Sequence, residues 1–142
     1  DLGVAALDAT YEDFLSANPD APDPFLERDL SGNTLPRSPG LTVSAGLQYA
    51  WPVSDRGTLT LRGEARYQSH IWFDQFNSID VEEGAYTLLN AFATFGSADE
   101  HWRVQLYGRN LSDKLYRATS LIGTLDFWGA PRTYGIELGY RL

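Results

Sequence analysis

A chain of 142 residues suits one ordinary domain, and 43% hydrophobic content is enough for a core. The net charge of −8 and a pI near 4.5 argue against a nucleic-acid partner, which would select for a basic patch. Without cysteine there is no disulfide framework or thiolate metal site, and without a run of about 18 apolar residues there is no transmembrane helix.

In chain order, residues 2–14 are strand-like but Ala-rich, and 15–40 form a long connection whose 18–24 segment is rich in Pro, Asp and Asn. Residues 41–51 alternate strictly. Leu41, Val43, Ala45, Leu47, Tyr49 and Trp51 fall on one side, with Thr42, Ser44, Gly46, Gln48 and Ala50 on the other. A short turn at 52–57 leads to 58–68, the cleanest case. There Leu59, Leu61, Gly63, Ala65 and Tyr67 oppose a face that carries Arg62, Glu64 and Arg66. That charged set suits an ion-pair ladder facing a wet lumen, or equally a solvated sheet face.

After a long connection at 69–85, residues 86–95 are less regular. Leu89, Ala91, Ala93 and Phe95 lie on one side; Leu88, Asn90, Phe92 and Thr94 mix types on the other. A short turn at 96–101 precedes 102–110, where Trp102, Val104, Leu106 and Gly108 oppose Arg103, Gln105, Tyr107 and Arg109. The last long connection covers 111–131. In 132–142, Tyr134, Ile136, Leu138, Tyr140 and Leu142 share one face, which predicts a strand running to the chain end.

The pattern predicts an all-β, antiparallel sheet of about six strands, each about ten residues long, as a tilted strand crossing a bilayer needs. Strict alternation of short and long connections places every long loop at one end. An apolar face toward lipid and a polar face toward a lumen are what a transmembrane β-barrel requires, and a mean hydropathy of −0.30 conceals that two-sidedness. Tyr49, Trp51, Phe95, Trp102 and Tyr140 collect at the short-turn end, with Tyr67, Trp72, Trp128 and Tyr134 toward the other. Such positions suit two interfacial belts, or reflect only the strand preference of aromatics. The start at Asp1, the lack of methionine and the lack of a signal peptide lead to the expectation that the chain is part of something longer.

Three segments resemble a known family. Asn110-Leu-Ser-Asp-Lys-Leu-Tyr116, after Trp102 to Arg109, is similar to the penultimate strand and following motif of TonB-dependent outer-membrane receptors. Gly129-Ala-Pro-Arg-Thr-Tyr-Gly135 and the terminal strand resemble their last strand, and Leu35-Pro-Arg-Ser-Pro39 resembles another recurrent element. The likeness spans roughly residues 30–142.

It implies a 22-stranded barrel in the bacterial outer membrane, plugged by an amino-terminal domain. Such a barrel imports a scarce nutrient: a metal-siderophore complex, cobalamin or a saccharide. Residues 1–142 would be the C-terminal part of that barrel, with the plug absent from this segment, and with no catalytic role and no cofactor. The implied partners are outer-membrane lipid and lipopolysaccharide, the rest of the barrel and plug, and the TonB complex through an N-terminal part. The barrel-assembly machinery would read Tyr134, Gly135, Leu138, Tyr140 and Leu142; the family usually ends in Phe or Trp where this chain has Leu142.

Few constellations carry chemistry. His70 and His101 fall at opposite ends of the sheet and outside any metal-ligand spacing. Acidic residues crowd the long loops, yet no Asp-x-Asp-x-Asp-Gly run suggests calcium, and solvated charge is the simpler reading. Asn110-Leu-Ser112 matches a glycosylation sequon, which has no meaning in a bacterial outer membrane. Trp72, Phe73, Gln75, Phe76, Phe127 and Trp128 mix aromatic and polar groups in long loops, so they are candidate ligand contacts or simply loop–loop packing. Two other classes also fit parts of the pattern: a soluble β-sandwich ligand- or carbohydrate-binding module and an outer-membrane hydrolase.

Overall fold

The computed structural model describes residues 1–23, 25–121 and 125–142. Twelve strands occur among them: β1 (Leu2–Ala6), β2 (Leu15–Ala17), β3 (Glu27–Asp29), β4 (Leu41–Pro52), β5 (Gly57–Gln68) and β6 (Ile71–Trp72), then β7 (Glu82–Glu83), β8 (Tyr86–Ser97), β9 (Trp102–Arg109), β10 (Arg117–Leu121), β11 (Leu125–Trp128) and β12 (Thr133–Tyr140). β1, β4, β5, β8, β9 and β12 form one six-stranded sheet in sequence order, and every adjacent pair is antiparallel. No helix among the described residues is long and apolar enough to cross a membrane.

The register fixes which side chains share a face. Gln48 pairs with Arg62, Arg62 with Phe92, Phe92 with Tyr107 and Tyr107 with Gly135. One residue along, Leu47 pairs with Gly63, Tyr49 with Leu61, Leu61 with Ala93, Ala93 with Leu106 and Leu106 with Ile136. The expected parity therefore holds across the sheet: Leu59, Leu61, Tyr67, Val104, Leu106, Ile136, Leu138 and Tyr140 share one face, and Arg62, Glu64, Arg66, Gln105 and Glu137 share the other. The apolar face is open. Leu47 is 81% exposed and Leu138 is 68% exposed. A soluble sandwich would cover this face with a second sheet, but the remaining sheets have two strands each and lie in the connections.

The β9–β12 pair shows how small residues are accommodated. A side chain on Gly135 would collide with the Tyr107 ring, and one on Gly108 with Tyr134 and Leu111. On each face a tyrosine covers the glycine directly opposite, which restores packing that glycine alone cannot give a strand.

Two expectations need correction. The first strand stops at Ala6 rather than reaching residue 14, because its partner β4 begins only at Leu41, after two prolines that donate no N–H to a ladder. Beyond Ala6 the two segments stay associated through Leu7 N–H to the Gly40 carbonyl, Leu35 N–H to Ala9 and Tyr11 N–H to Asn33. The last strand ends at Tyr140, although Arg141 N–H still bonds the His101 carbonyl. The long connections carry short strands of their own. Each continues its hairpin into a small arm: β2–β3, β6–β7 and β10–β11. Residue 24 of the first connection and residues 122–124 of the third, both within segments flagged above, lie outside the described residues.

Candidate functional site: the docked loop arms

The three arms stand at one end of the sheet and are joined to one another. Between the first two, Asn33 Nδ2 donates to the Gln75 carbonyl at 3.0 Å, and Thr34 N–H donates to Asn77 Oδ1 at 2.8 Å. Asn77 Nδ2 answers to the Thr34 carbonyl at 2.9 Å, and Gln75 Nε2 reaches Ser16 Oγ at 2.9 Å. Asn77 holds a positive φ of 53°, which asparagine tolerates better than most residues. Its amide thus closes a two-way bond with the Thr34 backbone.

Arg117 joins the second arm to the third. Its N–H donates to Glu83 Oε2 at 2.7 Å, while Nη1 reaches the Glu82 carbonyl at 2.8 Å and the Asp80 carbonyl at 3.2 Å. Nη2 lies 3.0 Å from Asp126 Oδ2, and the guanidinium sits 5.7 Å from the centre of the Trp128 ring. Arg37 Nη2 completes the circuit from the first arm to Thr119 Oγ1 at 2.6 Å. A bidentate, always-charged group suits this place, since its fork satisfies several carbonyls at once.

Below the third arm, Asn110 is 5% exposed and adopts φ 49°. Its Nδ2 donates to the carbonyls of Lys114 and Ala130, both at 3.0 Å, and its Oδ1 accepts from Lys114 N–H at 2.9 Å. Asp113 Oδ1 accepts from Arg132 N–H at 3.0 Å, so the start and end of the arm are clamped together. Tyr116 stacks on Tyr86 at 4.7 Å and fills the space where Gly129 has no side chain. Asn110 N–H also donates to Asn90 Oδ1, and Asn90 Nδ2 lies 3.5 Å from Glu64 Oε2. Glu64 pairs with Arg62 at 2.7 Å, and Arg62 with Asp1 at 3.0 Å. A polar chain thus runs across the sheet to the arm's base, with Asp1 rather than Arg66 as its third charged member.

The candidate contact residues separate. Phe73 is 9% exposed and packs with Ile71 and Val81. Gln75 spends its amide on Ser16 and its carbonyl on Asn33. Trp72 lies edge-on to His70 at 5.0 Å. Phe76 lines a cavity of about 340 Å³ with Pro19, Phe73, Asp74, Val81 and Ser120. Phe127 and Trp128 are exposed on β11. Sequence reasoning missed Asn77, Arg117 and Ser120, single polar residues without a motif, and met Arg37 only as part of the Leu35-Pro-Arg-Ser-Pro39 element. Trp72 and Trp128 sit on the arms, in β6 and β11, whereas Tyr49 with Trp51 and Trp102 with Tyr140 form close aromatic pairs at the short-turn end.

One arrangement at that end imitates a catalytic set. Ser97 Oγ bonds Asp99 Oδ1, and His101 Nδ1 lies 3.2 Å from Asp99 Oδ2. The carboxylate stands between hydroxyl and imidazole, so the histidine cannot take the serine proton. The three residues close the 96–101 turn: Ser97 Oγ accepts from Trp102 N–H, and Asp99 Oδ1 accepts from His101 N–H. The Ser97 hydroxyl, with the His101 N–H second, pulls the Asp99 carboxyl down from 3.8 to about 2.

Charge is divided by region. Residues 7–40, 69–85 and 110–132 carry thirteen carboxylates against five cations, a net −8; the rest of the chain carries six of each. Among the described residues no three His or carboxylate side chains gather as a metal set.

The family model for the TonB-dependent receptor-like β-barrel matches residues 1–111. The matched span reaches further upstream than the motifs suggested and ends within Asn110-Leu-Ser-Asp. Among solved structures, the ferric yersiniabactin uptake receptor FyuA from Yersinia pestis is similar at 23% identity and TM-score 0.69, over 78% of this chain and 17% of its own. The ferric preacinetobactin receptor BauA from Acinetobacter baumannii is similar at 28% identity and TM-score 0.65, over 78% and 16%. The siderophore receptor PiuA from the same organism is similar at 20% identity and TM-score 0.76, over 98% and 19%. The first and third speak for the fold. The chain spans less than a fifth of the length of each of these structures.

Proposed function

The chain belongs to the TonB-dependent receptor-like β-barrel family, and on that premise we propose that it is the C-terminal part of an outer-membrane receptor that imports a metal-siderophore complex. Barrels of this family are bacterial outer-membrane proteins, and its members are receptors that transport rather than catalyse. The observation that carries the reading is the uncovered apolar face of a six-stranded sheet whose opposite face is mainly polar. Hydrocarbon satisfies the first and a wet or protein-filled lumen the second. Two unpaired sheet edges, at β1 and β12, call for further strands of the same barrel.

Siderophore is preferred over cobalamin or saccharide because the three structural relatives named above are described as siderophore receptors. In the intact protein a plug domain occupies the lumen and contacts TonB. The assembly machinery reads the β12 face carrying Tyr134, Leu138 and Tyr140, and lipopolysaccharide surrounds the outer rim. The docked arms form part of the outer vestibule, with Phe76, Phe127 and Trp128 among the contacts offered to an arriving ligand.

The test uses the full-length protein in cells starved of iron. Uptake of radioactive ferric siderophore should require both this protein and TonB, and unlabelled complex should compete. Uptake of cyanocobalamin or a saccharide instead, with no ferric uptake, would replace the substrate. A protein recovered in the soluble fraction would remove the receptor reading altogether.

A further inference from the structure

The 340 Å³ cavity exists only because the arms dock: Pro19 comes from the first, Phe73, Phe76 and Val81 from the second, and Ser120 from the third. Its walls are largely apolar and its polar groups are unusual. Ser120 is 4% exposed, and its hydroxyl has no hydrogen-bond partner among the described residues. Leaving a buried hydroxyl unpaired costs about 1–3 kcal/mol, so such a group marks a place where a partner is expected. Asp74 supplies a carboxylate of which Oδ1 accepts from Ser78 N–H at 3.0 Å, which leaves the second oxygen to face a ligand.

Among the described residues no Lys or Arg lines this space. Arg28 lies over Phe76 at 5.9 Å from the ring centre and is answered by Asp20 at 3.7 Å, while Arg117 is engaged by the Asp80 and Glu82 carbonyls and by Asp126. The arms around the cavity hold all of the chain's net −8. An entering carboxylate, phosphate or ionised catechol would meet Asp74 without a counter-charge and would lose its hydration in an apolar pocket. A protonated amine meets the reverse: a lining that combines the Asp74 carboxylate with Ser78, Ser120 and two phenylalanine side chains, and aromatic rings attract cations.

We infer that this cavity takes an ammonium group carried on an apolar or aromatic body, as one part of the imported ligand. The inference rests on the receptor reading above and narrows it: the portion of the ligand docked beneath the arms is cationic, not anionic. Phe73 and Val81 supply the rigid floor, Asp74 the charge, and Ser120 the acceptor that fixes orientation. Because residues from three arms converge, binding there also favours the docked arrangement over any open one.

The test titrates the intact receptor in detergent micelles with 2-phenylethylammonium, observed by saturation-transfer NMR, beside the matched probes 2-phenylethanol and 3-phenylpropionate. The ammonium should bind at least tenfold more tightly than the carboxylate. Asp74→Asn keeps an acceptor for Ser78 N–H, and it should abolish most of that preference while leaving 2-phenylethanol unchanged. Ser120→Ala should weaken the ammonium severalfold, with the tryptophan near-ultraviolet spectrum unaltered as the check on arm docking. Equal binding of 3-phenylpropionate, or an unchanged preference in Asp74→Asn, overturns the inference. Its failure is separable from that of the receptor reading. A protein that still imports its ligand in a TonB-dependent way, yet binds the carboxylate as well as the ammonium, loses the cationic assignment alone.

Discussion

In the sheet, Leu47 is 81% exposed and Leu138 is 68% exposed; in the arms, Leu30 is 1% exposed and Val81 is 4% exposed. The sheet leaves its apolar face uncovered, whereas the loops, ordinarily the wettest part of a protein, contain the only buried large hydrophobic side chains among the described residues. Charge follows the same division, balanced in the sheet and −8 in the arms. One region is built for hydrocarbon on its apolar side and the other for water. Each region therefore has its own route to stability: strand ladders and lipid for the sheet, a small core and cross-arm hydrogen bonds for the arms.

The largest way to break this contrast is to place a charge on the lipid side. Leu61→Arg in the full-length protein should cost about 2–4 kcal/mol at mid-depth and prevent stable assembly, read as loss of the heat-modifiable band in outer-membrane fractions. The adjacent Arg62→Ala, on the polar face, should assemble. Equal assembly of both variants would show that the apolar face does not meet lipid.

Asn110→Ala strikes the junction of the two regions. It removes three side-chain hydrogen bonds and leaves the Lys114 N–H and the Ala130 carbonyl without their partner, for a local loss of about 2–3 kcal/mol. The third arm should become sensitive to protease while the sheet remains resistant. Protection unchanged in the arm would deny Asn110 its clamping role.

Asn77→Ala sharpens the contrast within the arms. Losing the two-way bond to Thr34 should cost about 1 kcal/mol and speed amide exchange around residues 33–37 and 71–83, with no change in strand protection. Exchange rising throughout the sheet would show that arms and sheet form one cooperative unit.

The smallest effect belongs to the 96–101 turn. Asp99 has a lowered carboxyl pKa, so its contribution is fully present above the ordinary value of 3.8 and is lost as pH falls toward about 2. Because the group is solvent-exposed, the change should be slight and weaker in high salt. Thermal melts between pH 2 and 5 should differ little between the parent and Asp99→Asn, and only in that window.

Parity made the sheet legible. In β5, Leu59 to Tyr67 alternate so cleanly that a slip of one residue would turn Arg62, Glu64 and Arg66 to the apolar side, and the observed pairing respects this. Leu88 and Phe92 blurred the β8 pattern only because they sit on the polar face, opposite Arg66 and Arg62. The arms were illegible for a reason of length. Strands such as Ile71–Trp72 and Glu82–Glu83 offer two residues each, too few for any period to appear. Val81 is buried against Ile71 and Phe73 across its own arm, a contact that no local period announces. The same holds for the candidate site. Phe73 and Phe76 were visible as loop aromatics, but nothing local to Ser120 foretells a buried hydroxyl, since its surroundings are set by how three arms meet.

The central claim is the direction in which the two faces of the sheet point. The chain contains no cysteine of its own, so single cysteines can be placed within it at will. Nitroxide labels at Leu47, Leu61, Leu106 and Ile136, and at Gln48, Arg62, Gln105 and Glu137, can be compared in the receptor reconstituted into bilayers. Collision with dissolved oxygen should dominate for the first four and be low for the second four, with a period of two along every strand. Water-soluble nickel chelate reaching the first four as readily as oxygen does would contradict the lipid-facing assignment.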